Sequence, residues 1–472
     1  MAKIKTDLLV IGAGSGGLSL AAGAVQMGAD VVLLEGNRMG GDCLNFGCVP
    51  SKALIASANA AHGQANTARL GVANAVPQAD YQAVMAHVAD VIAQIAPVDS
   101  QERFEQLGVR VIREFGQFIS PTEVRAGEHV ITARRIVIAT GSAPLVPPIR
   151  GIETVPHLTN ETLFDLREKP EHLLIIGGGP IGVEMAQAHR RLGCDVTIIE
   201  AAHALGRDDP ELSAIVLDTL RDEGVEIVED AKVASIRGGA GAIVVETKGG
   251  HIFNGSHLLV AAGRKANIDR LNLEAAGIEA TSSGVRVDER LRSTNRRVYA
   301  IGDVAGDMQF THVAGYHANV VIRSILFALP SRGKNAHLPH VTYTDPELAQ
   351  IGMTEVQARE QHGDKLTIAC FDYDENDRAI ATRQTSGFIK VMVVRGRPVG
   401  VSIVGAQAGE AIGLWALALA NGLKMSQIAA MVAPYPTLGE INKRAAGAYF
   451  SPRLFDNPMI KRVVRAIQYW VP

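Results

Sequence analysis

Two cysteines, Cys43 and Cys48, lie five positions apart in a chain that has only four cysteines. Pro50 follows at a position that suits the first turn of a helix, where its missing N–H costs nothing. A helix N-terminus stabilises anions because its first N–H groups have no partner within the helix, and the same field lowers the pKa of a thiol. The alternatives are a structural disulfide or half of a zinc site, but zinc needs two further Cys or His ligands at short spacing and none follow. The stretch therefore predicts a reactive dithiol.

The elements around this dithiol contain an internal duplication. In each copy an apolar strand leads into a G-x-G-x-x-G turn and an Ala-rich helix, and a second apolar strand then ends in an acid. Glu35 and Glu200 each follow the first glycine of their copy by 23 positions. In such units the glycines let a pyrophosphate approach the helix N-terminus, and the acid accepts hydrogen bonds from a ribose hydroxyl. The sequence predicts two dinucleotide sites, with the glycines Gly12, Gly14 and Gly17 in one and Gly177, Gly179 and Gly182 in the other.

Composition limits the class of protein. The 472 residues are enough for about three domains. A formal net charge of −3 argues against nucleic acid as a main partner. Four cysteines in so long a chain do not make a secreted disulfide scaffold, and neither a signal peptide nor an apolar run long enough to span a membrane is visible. The expected location is the cytoplasm. We expect Cys194 and Cys370 to pack in the interior, and we assign no metal ligands.

The motif Gly-Gly-x-Cys-Leu-Asn-x-Gly-Cys-Val-Pro-Ser-Lys resembles the redox-active disulfide of the class I pyridine-nucleotide disulfide oxidoreductases. That family includes dihydrolipoamide dehydrogenase, glutathione reductase and mercuric reductase. Asp42 stands where Thr is common in the family. The segments 136–142, 259–264 and 298–303 also resemble the family, as the two crossovers between the nucleotide-binding domains and the second FAD motif.

The resemblance implies an α/β fold with two Rossmann-like domains, one for FAD and one for NAD(P), followed by a C-terminal α+β dimerisation domain. The FAD domain is discontinuous and is expected at 1–149 and 266–335, with the NAD(P) domain inserted at 150–265. The dimerisation domain is expected at 338–472, and it implies a homodimer.

The resemblance also implies which residues hold the cofactors. Glu200 would repel the 2′-phosphate of NADP(H), so NAD(H) is favoured, while NADP(H) remains possible. The FAD site is expected to use Gly12, Gly14, Gly17, Glu35, Lys52, Gly116, Thr140, Gly141, Asp303 and Thr311. The NAD(P) site is expected to use Gly177, Gly179, Gly182, Glu200, Val233 and Gly263.

In the family, the residue corresponding to Cys48 is the thiol beside the flavin, and the one corresponding to Cys43 is the thiol that meets the substrate. Lys52 lies one turn after Cys48 and is expected beside the flavin. Glu184 resembles the acid that pairs with this lysine, which would keep its charge in place. The alternative for Glu184 is an exposed acid on a helix.

A departure from the family occurs near the C-terminus. Thiol reductases of the family carry His-Pro-Thr-x-x-Glu, whose His is the acid–base, whereas this chain has Tyr435-Pro436-Thr437 and then Glu440. A phenol that titrates near 10 is a poor proton shuttle at neutral pH. Mercuric reductases also carry Tyr in this region, but this chain lacks their C-terminal pair of cysteines.

The resulting interpretation is an FAD-dependent NAD(P)H oxidoreductase that acts on a small dithiol or disulfide substrate, as dihydrolipoamide dehydrogenase does. The alternative is a mercuric-reductase-like reductase of a soft metal ion, a quinone or another acceptor, because Tyr435 replaces the usual His. A redox-sensing flavoprotein is the non-enzymatic alternative, which the intact Cys, Lys and Glu positions disfavour.

The C-terminal tail has apolar residues at helical spacing from Ile460 to Trp470, with basic residues between them. We expect this helix to pack against the body of the protein or the dimer partner. The alternative is contact with a membrane surface.

Overall fold

The computed structural model describes residues 2–306 and 308–471. Its strands are short and distributed along the whole chain. They are β1 (Ala2–Ile11), β2 (Val31–Leu34), β3 (Arg110–Ile112), β4 (Gln117–Ser120), β5 (Glu123–Ala126), β6 (His129–Ile138), β7 (Ser142–Pro144), β8 (His172–Ile176), β9 (Asp195–Ile199), β10 (Glu226–Val228), β11 (Val233–Gly239), β12 (Ala242–Thr247), β13 (Ile252–Gly255), β14 (His257–Val260), β15 (Arg264–Ala266), β16 (Ala280–Thr281), β17 (Gly284–Val285), β18 (Val298–Ala300), β19 (Pro339–Thr342), β20 (Glu347–Gly352), β21 (Leu366–Asp372), β22 (Phe388–Val394) and β23 (Arg397–Gly405).

Helices alternate with these strands, as expected of an α/β protein. They are α1 (Ser15–Gln26), α2 (Gly41–Asn45), α3 (Cys48–Ala65), α4 (Tyr81–Ile95), α5 (Gln101–Gln106), α6 (Asn160–Leu163), α7 (Pro180–Arg191), α8 (Pro210–Asp222), α9 (Thr311–Phe327), α10 (Glu355–His362), α11 (Asp377–Thr382), α12 (Ala408–Ala420), α13 (Met425–Ala429), α14 (Glu440–Phe455) and α15 (Pro458–Trp470). The predicted α/β fold class is confirmed.

The first sheet has the order β3-β2-β1-β6-β5-β4. Strands β1, β2, β3 and β6 are parallel, and the C-terminal half of β6 also pairs in parallel with β18. The end of β1, Leu8 to Ile11, is buried, as expected of a central parallel strand that is covered on both faces. This sheet joins segments from the beginning of the chain to a strand near residue 300, so a discontinuous unit surrounds the first glycine-rich turn.

The second sheet has the order β10-β9-β8-β14, and all of its strands are parallel. A three-stranded antiparallel meander, β11-β12-β13, accompanies it. Helix α7 follows β8 after the three-residue turn 177–179 and has Pro180 in its first turn, where Pro is preorganised for a helix. The second glycine-rich turn therefore has the same strand–turn–helix context as the first.

The third sheet is antiparallel, with the order β19-β20-β23-β22-β21, and packs against helices α12 and α14. Trp415 on α12 is fully buried there, and its indole N–H donates to Asn442 of α14. The short ladder of β7 and β15 joins the two crossovers between the nucleotide-binding sheets. The sheets agree in outline with the expected domains, whose boundaries remain predictions.

Two expectations about individual segments need revision. Cys194 is buried, but Cys370 is exposed, because side chains alternate along the edge strand β21 and Cys370 follows Ala369, which points into the core. Helix α15 forms at the expected place but buries no residue against its own chain. Among residues 2–306 and 308–471, none of the helices combines the length and the apolar character that crossing a bilayer requires.

Candidate functional site

A continuous cavity of about 1760 Å³ brings the dithiol and both glycine-rich turns together. Cys43 and Cys48 line it, and so do Lys52 and Glu184. The other predicted residues that line it are Gly12, Gly14, Glu35, Gly116, Thr140, Gly141, Asp303 and Thr311 from the expected FAD site and Gly177, Gly179, Glu200, Val233 and Gly263 from the expected NAD(P) site. One space is thus shared by the groups that the sequence predicted to act together.

The three positions of each turn are occupied by glycine for different physical reasons. Gly12 and Gly177 have φ of +110° and +113°, and a Cβ on either would press on the carbonyl oxygen of the neighbouring strand's end. Gly17 and Gly182 lie beneath the turn, where a Cβ would collide with the carbonyl oxygen of Gly12 or Gly177.

The middle glycines, Gly14 and Gly179, meet no such obstacle. A Cβ on Gly14 would have only an ordinary contact at 3.9 Å, and one on Gly179 would have no neighbour within 4 Å. Both residues border the cavity immediately before a helix N-terminus. Protein packing therefore leaves room for a ligand there, and the helix N-terminus favours a phosphate group by its charge.

The two acids at the ends of β2 and β9 are held in the same way. One carboxylate oxygen of Glu35 accepts from the N–H of Ala13 at 2.7 Å, and the other accepts from the N–H of Asn37 at 2.7 Å. Glu200 accepts in the same manner from Gly178 at 2.7 Å and from Ala202 at 2.9 Å. Each carboxylate is fixed at the edge of the cavity beside its glycine-rich turn, so the residues present fit two dinucleotides.

The two cysteines belong to consecutive helices. Cys43 is in the short helix α2, and Cys48 is the first residue of α3, directly after Gly47. Both are free thiols, and Cys43 forms a side-chain hydrogen bond with Cys48. The Sγ atom of Cys48 lies 3.4 Å from Oγ1 of Thr311, the first residue of α9. Two helix N-termini therefore meet at the sulfur of Cys48.

The two thiols have opposite acid–base properties. The pKa of Cys48 is lowered to about 6, chiefly by the hydrogen bond from Cys43 and also by Thr311 and the charge of Lys52, while burial and the charge of Glu184 oppose this effect. The same hydrogen bond, together with burial, raises the pKa of Cys43. At neutral pH the pair therefore consists of a Cys48 thiolate and a protonated Cys43.

Lys52 and Glu184 form an ion pair, with Nζ and Oε2 2.9 Å apart. Glu184 on α7 is buried and is therefore not an exposed helix acid. The sequence analysis missed Tyr343, whose N–H donates to the other oxygen of Glu184 and whose ring lies 4.2 Å from the Lys52 ammonium. The ammonium is thus held at the cavity wall by Glu184 of α7 and by Tyr343, which directly follows β19.

A second polar network, also missed as a site, surrounds Asp42. Its Oδ2 lies 3.0 Å from the guanidinium of Arg264, and its Oδ1 accepts from Asn160 at 3.0 Å. Arg264 also donates to Ser142, whose hydroxyl donates to Asp303. Burial raises the pKa of Asp303, while this hydroxyl and Arg264 oppose the effect. The replacement of the usual Thr by Asp42 was the signal in the sequence, because a carboxylate beside a reactive thiol needs a cation.

Tyr435 and Glu440 do not join the dithiol within one chain. The Tyr435 hydroxyl donates to Asp377 at 2.7 Å, and this residue is 68% exposed. The bond to Asp377 raises the pKa of the phenol. Glu440 pairs with Arg444 on the next turn of α14 at 3.1 Å. As far as the structure describes the chain, neither residue lines the cavity of Cys43 and Cys48.

Comparisons with known proteins agree with this geometry. Residues 6–318 match the family model described as pyridine nucleotide-disulphide oxidoreductase, and residues 338–446 match the dimerisation domain of the same family. The chain is 33% identical over 457 residues to a mercuric reductase of Streptomyces lividans, covering 94% of this chain and 96% of the relative. It is also 33% identical over 459 residues to a dihydrolipoyl dehydrogenase of Bacillus subtilis (strain 168), covering 94% and 96%.

Solved structures show the same fold. The copper(II) complex of the HOCl-induced flavoprotein disulfide reductase RclA from Escherichia coli has a TM-score of 0.84 at 29% identity, covering 93% of this chain and 99% of that one. LpdA from Mycobacterium tuberculosis has a TM-score of 0.86 at 24% identity, covering 95% and 99%, and supports the fold alone.

Proposed function

Because the chain belongs to the pyridine nucleotide-disulphide oxidoreductase family, we propose that it transfers electrons between a nicotinamide nucleotide and a small dithiol or disulfide substrate through Cys43 and Cys48. Enzymes of this family act on sulfur groups and use FAD and NAD(P)H. The observation that carries the proposal is the single cavity that holds both nucleotide-type turns and the dithiol.

The residues of this chain supply the binding sites. Gly12, Gly14, Gly17 and Glu35 would hold FAD with Gly116, Thr140, Gly141, Asp303 and Thr311. Gly177, Gly179, Gly182, Glu200, Val233 and Gly263 would hold the nicotinamide nucleotide. Bound FAD supplies a group that accepts an electron pair from the nicotinamide and passes it on to sulfur. Lys52, held by Glu184 and Tyr343, places a fixed positive charge beside Cys48.

The dithiol can reduce a disulfide by two exchanges. The Cys43 sulfur, once deprotonated, attacks the substrate disulfide, so one substrate sulfur leaves as a thiolate with the electron pair of the S–S bond. The Cys48 thiolate then attacks the Cys43 sulfur and releases the second substrate thiolate. The two substrate sulfurs are reduced, the Cys43–Cys48 pair is oxidised, and the two electrons that restore it come from NAD(P)H.

The first exchange needs a group that takes the Cys43 proton, since the pKa of Cys43 is raised. Tyr435 is exposed in the dimerisation domain and outside the cavity of its own chain. The dimerisation domain indicates a homodimer. We assign Tyr435 and Glu440 to the Cys43 site of the second subunit, where the exposed Tyr435 would meet the substrate.

A second function is favoured by the same tyrosine. Tyr435 has a raised pKa and is therefore a poor acid–base group at neutral pH. Reduction of a soft metal ion held by two thiolates releases no substrate thiol, so it does not need such a group. A mercuric reductase is one of the 33%-identical relatives, and the similar RclA was solved with copper(II). The alternative substrate is therefore a soft metal ion, a quinone or another acceptor.

The reactive thiols and their redox role suit a cytoplasmic location.

The test is NADH-dependent turnover of three acceptor classes, namely lipoamide, Hg(II) and a quinone. We expect Cys43→Ser and Cys48→Ser each to lower turnover of the physiological class by about 100-fold or more, because neither exchange can be completed. Cys370→Ser is the matched control, since this exposed cysteine is on an edge strand. Full activity of both Ser variants with all three classes would refute the role of the dithiol.

A further inference from the structure

Helix α15 separates apolar and basic residues onto opposite faces. Ile460, Val463, Val464, Ile467 and Trp470 recur at three- and four-residue spacing and share one face. The opposite face carries only positive charge, from Lys461, Arg462 and Arg465. No acidic residue occurs among residues 457–471.

The apolar face is left largely uncovered by its own chain, and none of its residues is buried. Every residue from 458 to 471 is exposed, including Val463 at 55% and Ile467 at 53%. Asn457 caps the helix by accepting from the N–H groups of Met459 and Ile460, so the helix is defined locally rather than by packing. Such a face is stable in water only when something apolar covers it.

We propose that α15 docks on the surface of an anionic lipid bilayer. A helix that lies in the interface buries its apolar face among the acyl chains, while basic residues of the other face attract anionic headgroups. Lys461, Arg462 and Arg465 provide this charge complementarity without an opposing acid. Tyr469 and Trp470 supply the amphipathic rings typical of a membrane–water interface.

A second copy of the chain is a less suitable occupant. The match to the family dimerisation domain ends at residue 446, so α15 lies beyond the segment that matches that domain. Two α15 helices packed through their apolar faces would also leave Lys461, Arg462 and Arg465 on the outside without a counter-charge, whereas an anionic surface would neutralise them. The proposal concerns a binding surface and does not depend on the electron acceptor.

A tryptophan of the chain can serve as a fluorescent probe of membrane binding. Of its two tryptophans, Trp415 is fully buried and Trp470 is 80% exposed, so a change in emission on adding vesicles reports Trp470. The full-length holoenzyme is mixed with vesicles of phosphatidylcholine alone or with phosphatidylglycerol added. We expect a blue shift and co-sedimentation with the anionic vesicles only, both weakened by high salt. Trp470→Phe should remove the blue shift while leaving co-sedimentation in place.

Two variants test the two faces. The triple variant K461Q/R462Q/R465Q should bind anionic vesicles about 100-fold more weakly, on the basis of about fivefold for each basic residue near the surface. The matched control K3Q/K248Q/K365Q removes the same charge from exposed positions elsewhere and should bind as the parent does. V463N/I467N should also lose binding, because it places amides on the apolar face that would enter the bilayer.

Three results would overturn the proposal. They are absence of binding to anionic vesicles, equal binding by the triple variant and the parent, and equal binding to neutral vesicles. Shielding of Trp470 from a soluble quencher without lipid, with loss of the dimer on deletion of 457–472, would instead assign α15 to a second copy. NADH-dependent turnover of a water-soluble acceptor by the triple variant shows that the enzyme is intact and separates this result from any failure of the proposed function.

Discussion

Asp42 and Arg264 form an ion pair 3.0 Å long between the helix that contains Cys43 and the strand that leaves the second nucleotide-binding sheet. Arg264 is largely buried, and through Ser142 it is connected to Asp303. The dithiol is thus tied to the junction of the two nucleotide-binding units by a charge that stands where the family commonly has Thr.

Asp42→Asn should destabilise the protein by about 1–3 kcal/mol, because a largely buried guanidinium would lose its main counter-charge. The free energy of unfolding is measured by urea denaturation with saturating FAD. Asp7→Asn is the control, since its pair with Arg134 is exposed at 45% and 79% and should contribute less than about 1 kcal/mol. Equal changes in the free energy of unfolding for the two substitutions would show that the Asp42 pair stabilises the protein no more than an exposed ion pair does.

The charge state of Cys48 should depend on pH in a defined way. Its pKa is lowered to about 6, so the thiolate is present at neutral pH and is lost as the pH falls through about 6. The ultraviolet absorbance of the thiolate in the reduced protein, with Cys48→Ser subtracted, follows this titration.

Lys52→Met should move the midpoint to higher pH and lower the thiolate fraction at pH 6 by about fivefold, because Lys52 favours the charged sulfur. Glu184→Gln should move it to lower pH, since the charge of Glu184 opposes the thiolate. Lys52→Arg keeps the charge and serves as the control. Shifts of the same sign in Lys52→Met and Glu184→Gln would contradict this electrostatic account.

Glu200 should determine the nicotinamide preference. We expect higher kcat/KM with NADH than with NADPH, because the fixed carboxylate accepts from a ribose hydroxyl and repels a 2′-phosphate. Glu200→Ala should lower the preference ratio by about 10- to 100-fold. Glu153→Ala is a control at an exposed acid of the same region that does not line the cavity. An unchanged ratio in Glu200→Ala would place nucleotide selection elsewhere.

Tyr435→His should raise turnover of lipoamide if the missing group is only an acid–base. The gain should appear as the pH rises through about 6.5, where an imidazole becomes able to accept the proton of Cys43. Initial rates are measured from acidic to neutral pH, with Tyr469→His as a control on the exposed tail. No gain at any pH would mean that the substrate pocket itself has diverged from that of the thiol reductases.

Features defined by neighbouring residues could be predicted from the sequence. The glycine-rich turns and the acids Glu35 and Glu200 have strong local patterns, and the structure gives both copies the same backbone contacts. The α/β class was implied by the family resemblance that the motifs carry. Cys370 was misplaced because the local sequence of β21 does not reveal which face of the strand points to the core.

Contacts between distant parts of the chain were harder to predict from the sequence. The ion pair of Lys52 and Glu184 joins residues 132 positions apart, and it was anticipated only from the family resemblance. Tyr343 and Arg264 were missed because nothing in their local sequence shows that they end beside Lys52 and Asp42. The absence of Tyr435 from the cavity of its own chain likewise depends on how the dimerisation domain is placed.

The middle glycines of the two turns separate folding from ligand capture. Gly12, Gly17, Gly177 and Gly182 are required by the chain's own backbone, whereas Gly14 and Gly179 adjoin open space. Substitution of a glycine in the first group should therefore lower the stability of the protein, whereas substitution in the second group should affect ligand binding. A methyl group at position 14 or 179 would leave the protein folded but would occupy the space for the ligand. Alanine at position 14 would therefore give a protein without FAD, and alanine at position 179 a protein that does not bind the nicotinamide nucleotide.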